Sequence, residues 1–225
     1  MVRSAKRIAV SNDLSADRAR ALELIPVPSE VAARLDRYVA LLLAWQKKIN
    51  LVAPSTLHEI WMRHIADSLQ LIALAPDART WIDLGSGAGL PGLVIACAIA
   101  GHAGSEVHLV ESNSKKAAFL REAARELGVP ATIHAERIED FAKRFSGHAD
   151  VVTARALAPL SELLELAAPL MKTGAKALFL KGQDVEAELT ETAKCWTIEP
   201  TLVPSKTSPQ SRIVVIHRAM RRSKK

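Results

Sequence analysis

The sequence predicts an α/β fold: a seven-stranded, mostly parallel sheet with helices on both faces, preceded by a helical extension. Three observations predict it. From Arg79 onward, short β-rich runs alternate with helical stretches, and strands separated by helices close most simply into a parallel sheet. Before Arg79, apolar residues recur at helical spacing instead. With 225 residues, 49% of them hydrophobic, the chain suffices for one full core and a small accessory segment.

The elements follow in order. Residues 1 to about 14 are polar, basic and aperiodic and read as a mobile tail, and a short helix is expected from Asp17 to Leu24, ended by Pro26 and Pro28. After Ser29, a favourable N-cap, Val31, Leu35, Tyr38, Leu42, Trp45, Ile49 and Val52 form one continuous helical stripe. Thr56 and Glu59 have the spacing of a capping box for a further helix. Its buried face would hold Leu57, Trp61, Ile65, Leu69 and Ile72 before Pro76 stops it. Strands are then expected at Thr80–Leu84, Val107–Glu111, Ala131–His134, Asp150–Arg155, Lys176–Lys181, Trp196–Ile198 and Ile213–His217. Helices are expected at Pro91–Ala100, Ser114–Leu127, Leu160–Met171 and Val185–Cys195. The loop from Pro204 to Ser211 holds no good helix, so an antiparallel strand is expected after it. The chain divides accordingly into a basic segment 1–28, helices 29–76 packed on the core, a sheet domain 77–218 and a basic tail 219–225.

Composition narrows the function classes. Cys97 and Cys195 have no Cys or His partner at metal-ligand spacing, which argues against a disulfide framework or a metal and for a reducing compartment. No apolar run approaches the roughly 18 residues of a membrane span, and the first residues lack a secretory signal's apolar segment. A soluble, cytoplasmic protein with no membrane partner is expected. The formal charge of +6 favours polyanions such as RNA, with basic residues at both ends and in pairs such as Lys115-Lys116.

The chemistry is carried by Asp83-Leu84-Gly85-Ser86-Gly87-Ala88-Gly89-Leu90-Pro91-Gly92, which joins the first strand to an apolar helix. Glycines let the backbone turn sharply and approach a ligand closely. Beyond them, Glu111 at the end of the second strand can accept two ribose hydroxyls, the pairing used for adenosine-containing cofactors. Two cofactor classes fit. Gly87, Gly89 and Gly92 satisfy the dinucleotide pattern G-x-G-x-x-G, whereas Asp83 with Gly85, Gly87 and Gly89 satisfies the D-x-G-x-G-x-G pattern of class I, Rossmann-like methyltransferases. A carboxylate beside a pyrophosphate is repulsive, while beside a cationic amino-acid end it is attractive, so Asp83 favours the methyltransferase.

Alternatives thin out further along the chain. The segment Thr153 to Pro159 lacks the Asn/Asp-Pro-Pro-aromatic signature of amine methylation. Cys97 and Cys195 read as core or surface thiols rather than the nucleophile of pyrimidine-carbon methylation. A target already nucleophilic, such as guanine N7, suits what remains, because catalysis then reduces to alignment and desolvation. Lys115, Arg137, Arg155 and Lys181 lie near strand ends, where a cation can bond guanine O6 or hold phosphates.

Taken in order, these motifs resemble one family, the bacterial small-subunit rRNA guanine-N7 methyltransferases, also called the glucose-inhibited division protein B family. The likeness runs from about Trp45 to Arg218. It rests on Trp45-Gln46-Lys47-Lys48-Ile49-Asn50-Leu51, Arg63-His64-Ile65-Ala66-Asp67-Ser68, Asp83 to Gly92, Arg137-Ile138-Glu139-Asp140-Phe141 and Leu180-Lys181-Gly182-Gln183. Ala154-Arg155 stands where the family has Ser/Thr-Arg. The resemblance implies S-adenosylmethionine as cofactor and 7-methylguanosine, at guanosine 527 of 16S rRNA, as product. The substrate would be 16S rRNA or the 30S subunit, and the alternative is another RNA or a small molecule. The resemblance also implies cofactor contacts at Gly85, Leu90, Ile138, Glu139 and Arg155, to which the fold logic adds Asp83, Gly87 and Glu111. It implies RNA or guanine handling by Lys115, Arg137, Arg155 and Lys181, and initial helices that shape the substrate entrance. His64 and Asp67, three residues apart, are expected to be structural or RNA-facing.

Overall fold

The computed structural model describes residues 14–222; the reading of the first residues as a tail falls almost wholly outside them. Seven strands form one sheet in the order β3-β2-β1-β4-β5-β7-β6. They are β1 (Thr80–Leu84), β2 (Glu106–Val110), β3 (Ala131–His134), β4 (Val151–Arg155), β5 (Lys176–Lys181), β6 (Trp196–Pro204) and β7 (Arg212–Arg221). The first five pair in parallel and β7 runs antiparallel to both neighbours, as expected from the loop before it. The order reverses between β1 and β4, and a crevice opens there beyond the strand ends.

Side chains alternate across the sheet and so make two cores. On one face Trp81, Val107, Leu109, Val151 and Leu178 meet α2 (Ser29–Gln46), α4 (Gly92–Ile99) and α5 (Ser114–Leu127). On the other, Ile82, Leu84, Val152, Ala154 and Phe179 meet α6 (Ile138–Arg144), α7 (Leu160–Met171) and α8 (Val185–Cys195). The helix α1, residues 14–24, joins the first core through the buried Ala21, and the Arg18 guanidinium is paired twice with Asp36 of α2.

The helical first third departs from its pattern in three places. Ser29 does not cap α2; its hydroxyl donates to Glu30 instead, and Pro28 is the N-cap. The stripe breaks at Gln46, whose side chain folds back to accept from the amides of Leu51 and Val52 and to donate to the carbonyl of Val52, so Ile49 and Val52 leave the helix. Thr56 forms no capping box: Pro54–Glu59 is a 3-10 turn, Trp61–Ala66 is π-helical, and only Asp67–Leu69 (α3) is α-helical. The buried carboxylate of Asp17 accepts from the amide of Trp61 at 2.8 Å, which holds the start of the widened turn.

Candidate active site

The glycine loop leaves β1 and re-enters helix at α4, and its amides are almost all committed to the protein itself. Ser86 N donates to the carbonyl of Val110, Gly89 N and Leu90 N to that of Ser86, and Leu93 N to that of Gly89. Two others meet carboxylates: Gly87 N donates to Glu111 at 2.9 Å and Gly92 N to Asp83 at 3.1 Å. A pyrophosphate needs free amides at such a turn and helix start. Here two of the motif's glycine amides, those of Gly87 and Gly92, already face carboxylates, which disfavours a pyrophosphate at the turn. Gly85 has φ +63°, a left-handed conformation strained for any residue with a Cβ, so the turn at the end of β1 favours glycine there.

Asp83 lies beneath this loop. Its second oxygen accepts from the hydroxyl of Thr153, its register partner on β4, at 2.9 Å. Burial pushes its carboxyl up to about 6, against the pull of Thr153, Ser86, Gly92 and Arg155. Tyr38 reaches the loop from α2 and donates to the carbonyl of Ala88 at 2.6 Å.

Two hollows meet over the loop. The smaller, of about 380 Å³, is lined by Glu111, Lys116, Arg137, Ile138, Glu139 and Leu157, among others. The larger, of about 960 Å³, is lined by Leu90, His64, Asp67, Arg155 and Lys181 and by residues 207–211. Gly85, Gly87, Lys116 and Ala156 belong to both. A carboxylate-floored cleft that opens into a wider chamber suits a small cofactor beside a bulky substrate.

The structure thus brings together most residues singled out from sequence. Gly85, Gly87, Glu111, Ile138 and Glu139 surround the smaller hollow, with Arg137 at its rim; Leu90, Arg155 and Lys181 line the larger one. Asp83 touches neither surface and acts from below the loop. Lys115 is exposed and outside both linings, while its neighbour Lys116 lies where they join. Both cations singled out in the larger hollow are held by partners. Lys181 donates to the carbonyl of Ala158 and pairs with Glu188 at 2.6 Å, whereas Arg155 is 18% exposed and donates to Arg63 and His64. Burial pushes the Cys97 thiol up to about 12, which removes it as a nucleophile, and Cys195 sits at the exposed end of α8. Among the described residues no helix is long and apolar enough to cross a membrane, and no cluster of His, Cys, Asp or Glu could hold a metal ion.

Sequence reasoning missed α6, whose seven residues are too few for a periodicity to register, although its first turn supplies Ile138 and Glu139. It also treated residues 205–211 as a mere connection. Their small hydroxyl side chains gave no sign that they form a cavity wall.

Comparison with known proteins agrees with this geometry. The family model described as "GidB: rRNA small subunit methyltransferase G" matches residues 31–214. A ribosomal RNA small subunit methyltransferase G of Bradyrhizobium sp. strain BTAi1 is 61% identical over 209 residues, covering 93% of this chain and 94% of the relative. The namesake from Rhodopseudomonas palustris strain CGA009 is 56% identical over 99% of this chain and 100% of its own length. Among solved structures, a putative O-methyltransferase from Klebsiella pneumoniae superposes with a TM-score of 0.58 at 11% identity, covering 90% of this chain and 96% of its own, a likeness of fold.

Proposed function

This chain belongs to the GidB family, rRNA small subunit methyltransferase G, and from that premise we propose that it transfers a methyl group from S-adenosylmethionine to N7 of guanosine 527 in 16S rRNA. One observation supports the cofactor choice: the amides of Gly87 and Gly92 face the carboxylates of Glu111 and Asp83. That arrangement repels a pyrophosphate and favours a cation. When bound, S-adenosylmethionine supplies a methyl group on a positively charged sulfur, electrophilic enough for guanine N7 to take it through its in-plane lone pair without prior deprotonation.

The chain's own residues then bind, orient and exclude water. Glu111 is pinned by the amides of Gly87 and Asn113 and keeps lone pairs for ribose hydroxyls. Ile138 and Leu157 give the smaller hollow apolar walls, and Glu139 lines it beside them. Gly85 and Gly87 hold the junction, with the buried Asp83 below them for the amino-acid end. In the larger chamber Arg155 orients guanine, with Lys181 held by Glu188 as a second cation. Arg137 and Lys115, both exposed, serve RNA phosphates outside. The helices before β1 form part of the substrate entrance, and cytoplasm is the compartment in which such a substrate is met.

Incubation with methyl-labelled cofactor and either 16S rRNA or 30S subunits tests the proposal. Label is expected as 7-methylguanosine at one nucleotide; label only on other RNAs or on small molecules would overturn the substrate. Glu111→Gln replaces one acceptor oxygen by an amide donor facing a backbone N–H, and calorimetry should show cofactor affinity weakened by about tenfold or more.

A further inference from the structure

His64 and Asp67 meet the same guanidinium from one helical segment. Arg155 Nη2 donates to His64 Nδ1 at 2.7 Å and Nη1 to the carbonyl of Arg63 at 3.1 Å, with Asp67 Oδ2 3.7 Å from Nη1. Arginine only donates. His64 Nδ1 must therefore be bare, and its ring hydrogen sits on Nε2, which donates to Thr56 Oγ1 at 2.8 Å; that hydroxyl in turn donates to the carbonyl of Ala53. The chain of hydrogen bonds has a single direction. Burial, aided by the charges of Arg155 and Arg63, pushes His64 down to about 3, so the bare nitrogen persists throughout the neutral range.

The other oxygen of Asp67 faces the opposite way. Oδ1 accepts from the hydroxyls of Thr207 at 2.7 Å and Ser205 at 3.3 Å and from Gln70 Nε2 at 2.8 Å, while Gln70 Oε1 accepts from the amide of Lys206. Residues 207–211 wall the larger chamber. One turn of helix thus links the loop after β6 to the cation at the end of β4.

We propose that His64 and Asp67 are positioning residues: they fix the direction of the Arg155 guanidinium in the larger chamber, and Asp67 ties that direction to the loop 205–211. The inference rests on the reading of Arg155 as the group that orients guanine. Without the acceptors the guanidinium turns freely, and alignment is lost while RNA affinity, spread over many phosphates, changes little.

The test compares His64→Leu, which keeps volume and removes the acceptor, with His64→Asn, which restores a carbonyl oxygen near Nδ1. His64→Leu should lower kcat on 16S rRNA by roughly tenfold with KM for RNA nearly unchanged, His64→Asn should recover most of it, and His64→Leu added to Arg155→Ala should cost nothing further. Long-range ¹H–¹⁵N spectra of the full chain should show His64 protonated on Nε2 alone; a proton on Nδ1 would overturn the assignment. Wild-type kcat in His64→Leu, with Arg155→Ala impaired, would sink the inference and leave the reading of Arg155 standing. Wild-type kcat in Arg155→Ala would sink that reading and the inference with it. Should His64→Leu fail to fold, Asp67→Asn and Thr207→Val decide: reduced kcat in both supports the link, and wild-type kcat in both overturns it.

Discussion

Asp83 holds a charge where charge is costly. Its side chain is 1% exposed, and burial lifts its carboxyl from 3.8 to about 6, so the folded protein holds that proton more tightly than the unfolded chain does. The sign follows: Asp83 favours folding below pH 3.8, and this contribution is lost as pH rises through 6. The loss amounts to about 3 kcal/mol. In Asp83→Asn the amide oxygen can still accept from Gly92, and the amide nitrogen can donate to Thr153, whose hydroxyl turns to the carbonyl of Ile82 already 3.4 Å away. We therefore expect Asp83→Asn to melt at a higher temperature at pH 8, to match the parent near pH 4, and to bind S-adenosylmethionine more weakly. Equal melting temperatures at pH 8 would mean that the neighbouring dipoles fully offset the burial.

Helix α2 shows what an element contributes beyond its own residues. Its apolar stripe packs against α4 and α5, and its polar tips stitch it to the same helices: Arg34 donates to the carbonyl of Cys97 in α4, and Trp45 to Glu122 of α5 at 3.0 Å. Tyr38, fully buried, holds the glycine loop through Ala88. Tyr38→Phe leaves that carbonyl without its donor at a cost of about 1–2 kcal/mol. Denaturant unfolding should register the loss, and cofactor affinity should fall with it because the loop loses its support. An unchanged affinity would disconnect α2 from the site.

The pH response of the whole molecule is a sum of opposed groups. Burial lowers His64, His108 and His134, so the unfolded chain takes their protons first and stability is lost as pH falls below 6.5, reaching down to about 3 for His64. Asp83 works the other way, but only below about 6. Three histidines against Asp83, and against Asp17, whose carboxyl burial also raises, predict a melting temperature that drops from pH 7 to pH 5; a rise over that interval would contradict the burial of His64. Net charge makes a second prediction at this scale. With +6 overall and cations spread around the chamber, affinity for 16S rRNA should fall linearly with the logarithm of salt concentration. A flat dependence would place recognition in base contacts alone.

Much of this protein could be read along the chain because its strands, its long helices and its glycine loop are written in local periodicity and local spacing. The seven strands, α5, α7, α8 and the pairing of Asp83 with Glu111 around Gly85 and Gly87 need no distant residue to declare themselves. Other features depend on neighbours far apart in sequence. β6 continues past Pro200 because an edge strand tolerates a residue without an amide donor. Lys116 rather than Lys115 reaches the cavity because one residue turns a helix by about 100°. His64 meets Arg155 across 91 residues of chain, and Asp67 meets Thr207 across 140. Periodicity says which face of an element is buried, but only the packed sheet decides which buried faces meet.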